Sequence, residues 1–114
     1  MVIGDLTLDT ISAGLEGLNL RRQMSEDAVA NMETPGYVAG KVDFESQLAR
    51  AVDSGDPKSF NPSVSATSNP ALPNGNNVDV AKELTTQSDT ALRHQLLVEA
   101  ANAKFRLLRT VIGT

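Results

Sequence analysis

Cysteine is absent, which excludes disulfide staples, thiolate zinc sites and cysteine nucleophiles together, though it leaves the compartment open. Tryptophan is absent too, and Tyr37, Phe44, Phe60 and Phe105 are the whole aromatic set, so the usual large core anchors are scarce. His94 is the sole histidine and leaves little material for acid–base chemistry near neutral pH. No apolar run approaches ~18 residues, so no bilayer-crossing span is expected. The opening Met1-Val2-Ile3-Gly4-Asp5 lacks a basic region and an apolar stretch, and is not expected to be a secretory signal. Positive charge is in short supply: 10 Lys and Arg face 14 Asp and Glu, and this net −4 argues against a nucleic-acid binder. At 114 residues the chain is one domain at most, and small for a single buried core.

What is present divides into three parts by composition. Residues 5–33 and 79–112 are helix-like, and 53–77 are loop-like, with prolines at 57, 62, 70 and 73 among many Ser, Gly and Asn. Such a stretch has too few apolar residues for a core of its own, and reads as extended or irregular unless a partner orders it. A short helix is expected over 43–52, with Asp43 as N-cap and Phe44, Leu48 and Val52 at four-residue spacing.

The first long segment carries a seam at Leu8, Ile11, Leu15, Leu18, Arg22, Ser25, Val29 and Met32, alternating three and four as a coiled coil does. Asp5, Asp9, Ser12, Glu16, Asn19, Gln23, Glu26 and Asp27 gather into one polar wedge. Leu6, Ala13, Gly17, Leu20, Met24 and Ala28 occupy the remaining face, so apolar or small residues cover more than one stripe. Gly14 and Gly17 either weaken the helix or admit a close neighbour. The last segment steps by four and three through Val80, Leu84, Gln87, Ala91, His94, Val98, Ala101, Phe105, Leu108 and Ile112. A second set, Leu92, Leu96, Ala100, Ala103, Leu107 and Val111, lies on nearly the opposite side. Asp79 is placed to cap the start, and Lys104, Arg106 and Arg109 suit the negative end of the helix dipole.

No catalytic constellation emerges. The chain has no phosphate-cradling glycine loop and no histidine–carboxylate pair at metal-ligand spacing. Asp53-Ser54-Gly55-Asp56 reads as a solvated turn, and His94 as a polar position on a helix seam. In Thr34-Pro35-Gly36-Tyr37, proline suits the second position of a type II turn and glycine supplies the positive φ of the third. Asn74-Gly75-Asn76-Asn77 is by itself a loop signal.

The combination says more. Ala30-Asn31-Met32-Glu33-Thr34-Pro35-Gly36-Tyr37, closing an N-terminal helix, resembles the A-N-x-x-T-P-G-Y signature of the bacterial flagellar rod and hook proteins. Gly75-Asn76-Asn77-Val78-Asp79, preceded by Asn74 and followed by Glu83-Leu84, is similar to that family's second signature. The ending Lys104-Phe105-Arg106-Leu107-Leu108-Arg109-Thr110-Val111-Ile112 resembles the C-terminus of a proximal rod member. The chain departs from the pattern at Ala28, where the family often has asparagine, and at Ser25, where it often has a large aliphatic.

The resemblance implies a structural subunit without enzymatic activity, cofactor, nucleic-acid partner or small-molecule substrate. It implies export through the flagellar type III apparatus without a cleaved signal, and residence in the rod of the basal body, in the periplasmic space. The implied partners are copies of itself, other rod proteins, and the membrane ring with its adaptor. The expected fold is all-α: helices over 1–34 and 79–114 paired as a coiled-coil hairpin, with turn, short helix and irregular linker over 35–78. Leu8, Ile11, Leu15, Leu18 and Val29 are expected to pair within the chain with Val98, Phe105, Leu108 and Ile112, leaving Leu92, Leu96, Leu107 and Val111 for neighbouring subunits. A sibling proximal rod protein, or a helical export chaperone or adaptor, is the alternative.

Overall fold

Two proline-free runs with apolar residues three and four apart have the local chemistry of long helices, and both form. The computed structural model describes residues 3–113 and, among side chains, those from Leu6 onward. The expectation for the opening Met1-Val2-Ile3-Gly4-Asp5 stretch, and the place of Asp5 in the polar wedge, lie outside that range. Helix α1 spans Ile3–Ala30 and helix α3 spans Val80–Val111. Ser25 meets Glu83 and Gly14 meets Leu97, so the two run antiparallel as a hairpin. Between them lie strand β1 (Gly40–Lys41), helix α2 (Glu45–Asp53), a single 3₁₀ turn at Pro57–Ser59 and strand β2 (Ser65–Ala66). The chain is all-helical apart from this short antiparallel ribbon, which pairs Gly40 with Ala66 and Lys41 with Ser65. Its extents are 63 × 27 × 14 Å, a thin elongated body.

The core sits on the linker side of α1. Leu18, Val42 and Phe44 are buried, with Leu20, Met24, Leu48, Phe60 and Leu97 packed around them. Gly17 explains how Phe44 gets so close: a Cβ there would stand 2.5 Å from the ring. Both roles foreseen for Gly14 and Gly17 meet here, since the close neighbour is what the missing side chains admit. Phe60 tilts against Phe44 with centroids 6.0 Å apart. Burying a phenylalanine contributes roughly 2–3 kcal/mol, so Phe44 is the principal anchor of the linker. The linker is thus laid along its own α1 and ordered without a partner chain. Among the described residues no helix is long and apolar enough to cross a membrane.

Two local expectations shift. Helix α2 begins at Glu45 with Phe44 at the N-cap and no side-chain cap bond. Asp43 instead pairs with Lys41 at 2.9 Å, and Phe44 is drawn into the core. The face that α3 turns inward also differs from the spacing-based seam. Thr90 is buried, Glu83 is nearly so, and Leu97 packs against the core, whereas Val98, Phe105, Leu108 and Ile112 are 37, 52, 38 and 72% exposed. On α1, Leu18 is buried while Leu8, Ile11, Leu15 and Val29 are half-buried. The reason is steric: α1 offers Gly14 and Ser25 toward α3, and slender side chains fit so close an approach where phenylalanine does not.

Candidate functional site

Pro35 sets the chain turning after α1, and Gly36 takes φ +75°, as the third position of a type II turn requires. The Tyr37 N–H closes it on the Thr34 carbonyl at 3.3 Å. Forty residues later the second asparagine-rich segment folds onto this turn. The Gly36 N–H donates to the Asn74 carbonyl at 2.9 Å, and the Asn77 N–H to the Tyr37 carbonyl at 3.1 Å. Gly75 has φ +85°, and a Cβ on it would lie 3.2 Å from the Gly36 Cα, so the two glycines touch. Both motifs form one body.

Asn76 is its centre. Fully buried, its side-chain amide donates to the carbonyls of Asn31 (2.9 Å) and Thr34 (2.8 Å), ending α1. Its Oδ1 accepts from the Val78 N–H at 2.9 Å, starting the approach to α3. Asn77 does the same for the strand: its Oδ1 accepts from the Ala39 N–H at 2.8 Å, and its amide reaches the Thr67 hydroxyl at 3.1 Å. Asp79 then caps α3 by accepting from the Lys82 N–H at 3.1 Å. Carbonyls at a helix end need donors, and a buried asparagine supplies two with one acceptor besides. Ala30 lies exposed at the last residue of α1, outside the hydrogen-bonded centre.

A second junction was not foreseen. Arg21 donates to the Val42 carbonyl at 3.0 Å, forks onto both Glu45 oxygens at 2.7 Å, and lies 4.7 Å above the Phe44 ring. Its hydrogen bond with Arg21 lowers the Glu45 pKa below the usual carboxylate range, and the same bond raises that of Arg21. Arg93 adds a longer contact to Glu45 at 3.7 Å. A bidentate guanidinium pair of this kind ties α1, the linker and α3 at one point. The sequence offers no signal for it, since Arg21 and Glu45 share no motif or period. At the unusual position Ser25, the hydroxyl donates to the Glu83 carbonyl at 3.1 Å, and Ala28 is buried.

The rest of the notable surface is apolar. Leu92, Leu96, Leu107 and Val111 are 57, 62, 56 and 73% exposed. Leu96 and Val98 flank the inward Leu97 in sequence, so at about 100° per residue they point to opposite sides of the hairpin plane. Each begins a stripe: Leu92, Leu107 and Val111 follow the first, Val80, Phe105 and Ile112 the second. Neither has cover in the chain. His94 is exposed and lines an open groove of about 540 Å³ with Leu18, Arg22 and Thr90, whose hydroxyl is the one buried side-chain polar atom without a partner among the described residues. Among those residues no group of three metal-ligating side chains gathers.

No family model matches the sequence. Individual curated proteins do. The chain is 32% identical over 119 residues to the flagellar basal body rod protein FlgB of Bacillus subtilis (strain 168), covering 93% of this chain and 92% of that protein. It is 28% identical over 133 residues to FlgB of Escherichia coli (strain K12), covering 92% and 96%. Over the same length it is 27% identical to FlgB of Salmonella typhimurium, again covering 92% and 96%.

Proposed function

Because the chain belongs to the FlgB family of flagellar basal body rod proteins, we propose that it is a non-enzymatic building block of the proximal rod, joining the membrane ring and its adaptor to the rod subunits beyond. On this reading it is exported through the flagellar type III apparatus without a cleaved signal and works in the periplasmic space. It needs no cofactor and handles no nucleic acid or small-molecule substrate.

The observation that carries the reading is the pair of uncovered apolar stripes on α3. A helix apolar on two opposite sides, with only its middle line used by the hairpin, has surface for neighbours on both sides. Leu92, Leu96, Leu107 and Val111 form one subunit contact, and Val98, Phe105, Leu108 and Ile112 are then a second. The role of the two signature motifs is to fix the hairpin's closed end, so that α1 and α3 reach their neighbours in one register. Ala30, Asn31, Thr34, Pro35, Gly36 and Tyr37 supply the turn, and Gly75, Asn76, Asn77, Val78 and Asp79 clamp it.

The test is deletion and recovery. A strain lacking the gene should not swim, and a tagged copy that restores swimming should co-purify with detergent-extracted basal bodies at the base of the rod. Intact rods in the deletion strain would overturn the reading, as would recovery of the tag only as a free helical dimer.

A further inference from the structure

The exposed apolar residues are concentrated at the two ends of the body, and the ends differ in charge. At the turn end, Met32, Val38 and Leu72 are 45, 52 and 59% exposed. Around them, residues 23–40 contain Glu26, Asp27 and Glu33 and no lysine or arginine. At the other end, Phe105, Leu107 and Val111 are exposed on the last turns of α3. There residues 100–113 contain Lys104, Arg106 and Arg109 and no acid. One end is thus apolar and acidic, the other apolar and basic, with the 63 Å length of the molecule between.

From this pairing we infer that copies of the chain meet head to tail, the basic end of α3 in one copy seated on the acidic turn end of the next. The inference rests on the reading of the chain as a rod subunit and adds which surfaces meet and in what polarity. Pairing like ends would bury like charges opposite one another, which strongly disfavours two-fold dimers. A contact between two different patches does not close on itself by a two-fold axis and continues as a helical array. The occupant of each end is therefore a second copy.

Charge exchange tests this in cells. Glu33 and Arg106 are both exposed, so Glu33→Arg and Arg106→Glu should leave the circular dichroism of the purified chain unchanged. Each alone should lower the copies incorporated per basal body about tenfold, because like charges then face each other. The double variant should restore incorporation. In addition, Glu33→Cys combined with Arg106→Cys introduces the only thiols in the chain, and mild oxidation of basal bodies should give a ladder of this protein alone. No rescue by the double exchange, or disulfide dimers from either single cysteine variant, would overturn the head-to-tail contact. Cross-linking of either thiol to a different rod protein would overturn it as well. Failure of the underlying reading looks different: the unmodified chain would then be missing from basal bodies altogether.

Discussion

Asn76 satisfies two carbonyls and one N–H from a side chain with no exposed surface, and no other residue type presents two donors and an acceptor in that volume. Asn76→Asp keeps the shape, removes both donors and sets a carboxylate against two carbonyl oxygens. The expected loss is about 3–5 kcal/mol, the cost of an uncompensated buried charge. Urea denaturation at pH 7 measures it, and a loss below about 1 kcal/mol would mean the two motifs are not clamped through this amide. The Arg21–Glu45 pair makes a smaller, pH-dependent contribution. Because folding lowers the Glu45 pKa from its ordinary 4.5, this stability is present in full above that value. It is lost as pH falls through the lower folded value. With the Glu45 side chain 46% exposed, solvent screening holds the contribution to about 1 kcal/mol or less. Glu45→Gln should therefore flatten the acid limb of a melting-temperature profile below pH 4.5 relative to the parent chain, with a shift at neutral pH within that small margin.

Two glycines on one helix are expected to respond oppositely. Alanine in place of glycine favours a helix by about 1 kcal/mol. At Gly14 the new Cβ would meet the Leu97 Cδ1 at 2.9 Å, the free end of a flexible side chain that rotates away. Gly14→Ala should be neutral or stabilising. At Gly17 the same atom meets the Phe44 ring at 2.5–2.8 Å, and that ring is buried with nowhere to go. Overpacking costs about 1–3 kcal/mol, which outweighs the helix gain. Gly17→Ala should lower the melting temperature while Gly14→Ala does not, and equal responses would refute the packing described. The same contrast shows what the sequence makes legible. The helices, the Pro35-Gly36 turn and the Asp79 cap follow from local chemistry and can be read from a few adjacent residues. The inward line of α3 cannot, because apolar spacing marks two stripes, Leu96 to one side and Val98 to the other, and the chain uses neither for its hairpin. Only the identity of the opposing surface, Gly14 and Ser25, decides that Thr90 and Leu97 turn inward. The linker is hidden for a related reason: Val42, Phe44 and Phe60 have no common period, and their shared target on α1 exists only in the folded chain.

For the whole molecule, the exposed stripes separate what folds the subunit from what assembles it. Phe105 was expected to pack within the hairpin and Leu107 to face neighbours, which would make a charge at Phe105 the more damaging of the two to the free chain. With the two residues 52 and 56% exposed, that asymmetry disappears. Phe105→Asp and Leu107→Asp should each change the stability of the isolated subunit by no more than about 0.5 kcal/mol, as surface substitutions do. Leu18→Asp, placed in the core at 2% exposure, should unfold it and serves as the comparison. In the assembled rod the two surface variants should be equally harmful, because a contact that covers either stripe buries an unpaired carboxylate at a cost of several kcal/mol. The measurement is paired: thermal melts of the purified chains, and the number of copies recovered with basal bodies from cells expressing each variant. If Phe105→Asp destabilises the free subunit as Leu18→Asp does, then α3 is rotated from the position described and Phe105 belongs to the hairpin. If instead Leu107→Asp enters rods normally, its stripe faces water in the assembly. The subunit contacts would then lie on the Phe105 side alone, since that is the only other uncovered apolar surface along α3.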